Sequence, residues 1–235
     1  MTTKLDGAVV FVTGANGGLG EEFVSQSLQR GAVKVYATAR SPRQWGDPRI
    51  VPLFLDVTDP ESVAQAVKNA ADTTIVINNA GVTRRGPLAE ARMTDVRAIF
   101  ETNFFGALNV AQAFAPVLEF NRNGALLNVL SVLSWLGSGN AYSASKAALW
   151  SATNSLRLEL APRGILVSGL HLGFTATPMT KGIDTPMNDA ADVVRAALNG
   201  LEEGDYEILA DDLSVTTKAN LAAPIEVMYP QLLKP

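Results

Sequence analysis

Short runs of apolar and β-branched residues recur along the chain, separated by longer stretches with apolar positions at helical spacing. The runs lie at 8–13, 34–38, 50–55, 74–78, 125–130, 166–171 and 206–209. The first, Ala8-Val9-Val10-Phe11-Val12-Thr13, is continuously apolar rather than alternating, as in a strand covered on both faces. Helices are predicted near 18–30, 59–71, 93–119, 142–161 and 189–201, and again from 212 to 222, before Pro224. The start of the second announces itself as Thr58-Asp59-Pro60-Glu61, with a capping side chain, Pro in the first turn and Glu placed to close a capping box. Strands alternating with helices require crossovers of one hand, hence a parallel sheet. The expected fold is α/β: one doubly wound domain over 1–235, with a parallel seven-stranded sheet and helices on both faces.

Composition narrows the chemistry. A chain of 235 residues can bury a full core without staples. It has no Cys, which excludes disulfides, thiolate metal sites and a cysteine nucleophile. A single histidine, His171, excludes multi-histidine metal centres, so no metal is expected. The formal charge of −4 argues against nucleic acid as a partner. No signal-like start is present, and no apolar run approaches the roughly 20 residues of a spanning helix, so the expectation is a cytoplasmic protein without a membrane partner.

In such a fold, ligands meet the loops beyond the carboxyl ends of the strands. The first strand runs into Thr13-Gly14-Ala15-Asn16-Gly17-Gly18-Leu19-Gly20, a G-x-x-x-G-x-G turn ahead of a helix. Glycines there allow a tight turn and close backbone approach to a pyrophosphate, whose charge the helix N-terminus favours. A plain structural turn is the competing reading. The second strand ends at Arg40, with no acid to accept from a ribose 2′-hydroxyl. An arginine there suits a 2′-phosphate and so NADP over NAD, unless it only opens a solvated loop with Arg43. Asp56 could meet an adenine amino group or simply shape its own turn.

Tyr142 and Lys146 stand at i and i+4 on one helix face. An unperturbed phenol titrates near 10, about 3 units too high for a base at neutral pH. Lys146, together with a cationic nicotinamide, is expected to lower it.

The glycine turn, Asp56-Val57, Asn78-Asn79-Ala80-Gly81, Asn103, Asn128-Val129-Leu130-Ser131 and Tyr142-Ser143-Ala144-Ser145-Lys146 follow one another in this order. Together they resemble the short-chain dehydrogenase/reductase family over nearly the whole chain. The resemblance implies a Rossmann-type domain that interconverts a ketone or aldehyde and an alcohol by hydride transfer with NADP(H). Tyr142 would be the general acid or base, and Lys146 would tune it and hold the nicotinamide ribose. Ser131 would hydrogen-bond the substrate oxygen, with Ser134 a rival three residues later. Asn103 would hold a water relaying protons to Lys146. Cofactor contacts are implied at Gly14, Asn16, Gly17, Gly18, Leu19, Gly20, Arg40, Asp56, Val57, Asn79, Ala80, Gly81, Tyr142, Lys146, Gly173 and Thr177. For Asn79 and Gly81, stabilising the central sheet is the plainer role. A homodimer or homotetramer is implied through the helix of Tyr142 and the one before it.

Departures from the family pattern bear on substrate. Leu172 stands where the family's Pro-Gly pair begins, which puts the rigidity of that turn in question. Residues 174–190 make a short substrate lid, and Ala210-Asp211-Asp212-Leu213 replaces a frequent Asp-Gly-Gly ending. The expectation is a relatively open, apolar cleft bordered by Leu133, Trp135, Phe174, Met179 and Met187. Arg84 and Arg85 either meet an acidic substrate or are merely solvated, and His171 reads as packing at a strand end. The rival function is a dinucleotide-binding sensor or scaffold without turnover. A dehydratase or epimerase is disfavoured by the short C-terminal portion.

Overall fold

The computed structural model describes residues 3–233. Seven parallel strands form one sheet in the order β3-β2-β1-β4-β5-β6-β7. They are β1 (Val9–Thr13), β2 (Lys34–Ala39), β3 (Ile50–Phe54), β4 (Ile75–Asn78), β5 (Ala125–Val129), β6 (Leu166–His171) and β7 (Glu207–Leu209). The connecting helices are α1 (Leu19–Gln29), α2 (Pro60–Asn69), α3 (Met93–Phe100), α4 (Ala107–Asn121), α5 (Asn140–Leu160) and α6 (Ala190–Glu203). Two short helices, α7 (Asp212–Ala219) and α8 (Ile225–Met228), follow β7.

The unbroken apolar run of β1 has a direct explanation. All five residues are buried, with Val10 and Val12 packed against Phe23, Val24 and Leu28 of α1 and Val194 and Leu198 of α6. Val9 and Phe11 face the opposite core, which α2, α4 and α5 cover, and the Phe11 and Phe114 rings lie 4.4 Å apart. Each such side chain contributes about 1.5–3 kcal/mol by leaving water, which is why a polar residue on either face of β1 would be costly.

Chain order reverses between β1 and β4, so their carboxyl ends open a crevice at the switch point of the sheet. Register levels its floor: Thr13 lies beside Thr38, Val12 beside Ile77, and Asn78 beside Asn128. A buried polar ladder then fixes α4 and α5 to this edge. Asn78 Nδ2 donates to Ala107 O (2.9 Å) and Asn128 Oδ1 (3.0 Å), and Asn128 Nδ2 donates to Thr153 Oγ1 (2.9 Å).

The helix predicted over 93–119 is interrupted. Between α3 and α4, Glu101–Gly106 forms a π-helical turn. Gly106 ends the turn packed closely on Val57, where a Cβ would lie 2.6 Å from Val57 Cγ2 and 3.2 Å from Glu101 O. π-turns inside helices concentrate at functional sites, and Asn103 sits in this one. The tail is also broken earlier than predicted, with α7 ending at Ala219.

Candidate active site

The crevice is a cleft of about 950 Å³ running from the glycine turn, past the ends of β4 and β5, to the segment after β6. Gly14 (φ 67°) and Gly18 (φ 56°) take the left-handed backbone that the turn requires. Asn79 clamps the turn: its Nδ2 donates to Thr13 O (2.9 Å) and Gly14 O (3.1 Å). Thr13 Oγ1 returns the tie by accepting from the Asn79 and Ala80 amides at 3.0 and 2.9 Å. Asn16 Nδ2 donates to Ser41 O (2.7 Å) and joins the turn to the loop after β2. Arg40 lines the cleft there, exposed and in no ion pair among the described residues, whereas Arg43 pairs with Glu21 at 2.6 Å and stacks on Trp45.

Three of the sequence-derived residues meet on the facing wall. Ser131, two residues beyond the buried end of β5, hydrogen-bonds through its hydroxyl to the phenol of Tyr142. Lys146, one helical turn on from Tyr142, is buried, donates from Nζ to Val129 O (2.6 Å) and lies 5.7 Å from the Tyr142 ring centroid. Its burial pushes it down to about 8. Burial also pushes Tyr142 up to about 12, with the Ser131 hydrogen bond pulling the other way. The lowering expected from Lys146 and a cationic nicotinamide is thus not present in the protein alone, where the loss of water around the phenolate outweighs the Ser131 hydrogen bond.

Asn103 does not reach the cleft wall; it stands behind it. Its Oδ1 accepts from Val82 N (2.8 Å), and its Nδ2 donates to Val82 O (2.9 Å) and Ser145 Oγ (3.0 Å). Gly81 lies between Asn103 and Lys146, since a Cβ there would be 3.4 Å from Asn103 Oδ1 and 3.9 Å from Lys146 Nζ. Gly14, Asn16, Gly17, Gly18, Leu19, Arg40, Asn79, Ala80, Gly81, Gly173 and Thr177 line the cleft with Ser131, Tyr142 and Lys146. Gly20, Asp56 and Val57 lie off its surface. Gly20 packs under the turn, Val57 is a core side chain, and Asp56 Oδ1 accepts from Thr58 N (3.0 Å) and Thr58 Oγ1 (2.7 Å). The Thr58 bonds lower Asp56, with the charge of Arg40 as a smaller cause. Ser134 is buried away from the cleft.

On the substrate side, Leu133, Phe174 and Met179 line the cleft, but Trp135 and Met187 do not. Trp135 turns away to stack on His171, with ring centroids 3.8 Å apart, and meets Trp150 edge-on. Leu172 leaves the β6 turn firm without proline, because its carbonyl accepts from Val132 N at 2.8 Å. The Thr175–Asn188 bridge closes the base of the segment after β6, and Thr177 lies over Gly18. Two residues escaped sequence reasoning. Asp211 accepts from Gly173 N (2.6 Å), Asn188 Nδ2 (2.6 Å) and Ser214 N (2.8 Å), which fixes Gly173 and starts α7. Asn140, at φ 55°, accepts from Tyr142 N (3.0 Å); an Asn two residues ahead of the tyrosine was its only signal.

His171 is fully buried and donates from Nδ1 to Ser131 O (3.2 Å), as its sequence position at a strand end suggested. Burial pushes it down to about 4, from an ordinary 6.5. The unfolded chain therefore binds more protons between these values. The stabilisation is complete above about pH 6.5 and falls as pH drops toward 4, by about 3 kcal/mol at the limit. Urea melts from pH 7.5 to 4.5 should show this loss in the wild type and a shallower one in His171→Gln. Equal slopes would remove His171 from the account.

A parallel sheet with a glycine-rich first turn and a Ser–Tyr–Lys group across its switch point defines the class, and comparison agrees. The short chain dehydrogenase family model matches residues 8–188. The chain belongs to the short-chain dehydrogenase/reductase family and is an oxidoreductase. It is 34% identical over 198 residues to the 3-oxoacyl-[acyl-carrier-protein] reductase of Vibrio cholerae, covering 80% of this chain and 81% of that protein. The corresponding reductase of Thermotoga maritima is 30% identical over 202 residues, covering 80% and 82%. Among solved structures, a short chain dehydrogenase from Burkholderia cenocepacia in complex with NADP superposes with a TM-score of 0.92 at 39% identity, covering 99% of this chain and all of that one. Among the described residues, no helix is long and apolar enough to cross a membrane.

Proposed function

We propose that the chain is an NADP(H)-dependent reductase or dehydrogenase that interconverts a ketone or aldehyde and an alcohol, with Tyr142 as general acid/base. The observation that carries this reading is a single cleft with the glycine turn and unpaired Arg40 at one end and Ser131, Tyr142 and Lys146 on its wall. The residues present fit a dinucleotide. A Cβ added at Gly17 would meet nothing within 4 Å, so the turn keeps open space facing the cleft. Arg40 supplies an uncommitted guanidinium for a 2′-phosphate. The NADP named for the Burkholderia cenocepacia relative supports the same choice.

The reduced dinucleotide, when bound, supplies the hydride. Ser131 and Tyr142 hold the substrate oxygen between two hydroxyls, where negative charge develops during reduction. Tyr142, protonated in the free site, gives its proton to that oxygen; in the reverse direction its phenolate, offset by Lys146, takes the proton back. Lys146 offsets the phenolate left behind, and Asn103 borders the polar route by which water re-protonates the pair. A non-catalytic sensor would need the glycine turn but gives no role to the Ser–Tyr–Lys group. The protein is proposed to act in the cytoplasm. Assembly as a homodimer or homotetramer through α4 and α5 accords with exposed Phe120 (84%) and Leu158 (78%), and a monomeric mass by light scattering would overturn it.

The test of the reading is NADPH oxidation over a panel of ketones and aldehydes, repeated with NADH. Wild type should prefer NADPH, and Arg40→Asp should move the ratio of the two kcat/KM values toward NADH by about tenfold or more. No oxidation of either cofactor would overturn the activity, and an unchanged ratio would remove Arg40 as the phosphate partner.

A further inference from the structure

The charge pattern of the cleft is one-sided. Its charged lining residues are Arg40, Arg84, Arg85 and Lys146, and no Asp or Glu lines it among the described residues, on a chain whose net charge is −4. Lys146 is buried beside Tyr142, and Arg40 stands at the far end, just after β2. Arg84 and Arg85 therefore require a separate reason. They sit on the loop after β4, at the mouth shared with Phe174, Met179 and Ile183.

That loop is built rather than merely exposed. Asn140 Nδ2 donates to Arg84 O (2.7 Å) and Gly86 O (3.1 Å), while its Oδ1 accepts from Tyr142 N (3.0 Å). One side chain thus ties the backbone of residue 84 to that of residue 142. It does so from a positive φ of 55°, a conformation that costs a non-glycine residue free energy. On the other side, Arg85 Nη2 donates to Lys181 O (2.6 Å) and spans to the segment after β6. Arg85 is thereby committed, whereas the Arg84 guanidinium takes part in no ion pair among the described residues. Arg84 and Arg85 also border a neighbouring recess of about 250 Å³ that Glu90 and Asp95 line, but Asp95 pairs there with Arg92 at 2.9 Å and neither acid forms an ion pair with Arg84 among the described residues.

We infer that the carbonyl substrate is a carboxylate-bearing compound with an apolar body, its carboxylate received by Arg84 at the cleft mouth while its carbonyl meets Ser131 and Tyr142. A single free guanidinium matches the two-oxygen fork of a carboxylate. Concave walls without acids concentrate the attraction for an anion, and Leu133, Phe174 and Met179 accommodate the apolar part. The inference rests on the proposed reductase reading and names its substrate class.

The experiment compares 3-benzoylpropionate with its methyl ester, which share one skeleton and differ in charge. Wild type should favour the acid in kcat/KM by about tenfold, mainly through KM, and Arg84→Ala should collapse that ratio toward one. Arg97→Ala, on α3 outside the cleft, should leave the ratio unchanged. The preference should also shrink as salt is raised, because the pair is exposed. An ester used as well as the acid by wild type, or a preference that survives in Arg84→Ala, would overturn the inference. Calorimetric binding of both compounds to wild type and Arg84→Ala, with and without NADP+, separates it from the reading beneath it. Failure to bind NADP+ or to turn over either compound counts against the reductase. Tighter binding of the acid that is lost in Arg84→Ala supports the carboxylate site; equal or absent binding of acid and ester rejects it.

Discussion

Tyr142→Phe should lower kcat for carbonyl reduction by about 10³-fold and leave NADPH affinity within about threefold of wild type. The substitution removes one oxygen and keeps the ring, so the packing of α5 against the ladder from Asn78 through Asn128 to Thr153 is untouched. What disappears is the donor facing Ser131. The free site holds Tyr142 near 12 and Lys146 near 8, so at pH 7 the phenol is protonated and the lysine charged, the pairing that reduction needs. As pH rises through about 8, Lys146 loses its charge and no longer offsets the phenolate formed by proton transfer. The reduction rate should therefore fall on the alkaline side. Stopped-flow NADPH oxidation together with fluorescence titration of NADPH checks both halves. Turnover within tenfold of wild type would show that the proton comes from elsewhere, and a matching loss of NADPH affinity would make Tyr142 a binding residue only.

The parts legible in sequence are those governed by local period and by backbone chemistry. Seven apolar runs became seven strands because both faces of a parallel sheet demand apolar residues. The glycines at 14 and 18 were readable because positive φ leaves little choice of residue. The cleft wall was less so. Trp135 and Leu133 are both apolar and two residues apart, yet one stacks on His171 behind Ser131 and the other lines the cleft. Nothing in composition separates them; the turn following Ser131 does. The π-turn at Glu101–Gly106 was equally hidden, since its residues are compatible with continuous helix and the tight packing of Gly106 on Val57 joins positions far apart in sequence. The upward push on Tyr142 in the protein alone was hidden for a related reason. The i, i+4 spacing reveals the helpful lysine but not the burial that opposes it.

Gly20 and Gly17 sit three residues apart in one motif, and their alanine variants should fail in opposite ways. A Cβ at Gly20 would lie 2.2 Å from Gly14 O, 2.8 Å from Asn79 Nδ2 and 2.9 Å from Ala15 Cα. Two of these are backbone atoms of the turn, and the third is the clamp that holds it, so relief requires moving the turn off α1. Overpacking against backbone places Gly20→Ala near the upper end of the usual range, about 3 kcal/mol. For a chain of this size that corresponds to a drop in Tm of about 6–12 °C, with no cofactor present. Gly17 is the converse: its Cβ would meet nothing within 4 Å, and its φ lies outside the left-handed region, so Gly17→Ala should leave the Tm within about 2 °C. That open space is where a pyrophosphate would approach, and the added methyl should weaken NADPH binding by about tenfold or more. Thermal melts without and with NADPH separate the two. Loss of stability in Gly17→Ala alone would mean that the turn is tighter there than its geometry indicates, and unchanged NADPH affinity in that variant would move the pyrophosphate off this turn.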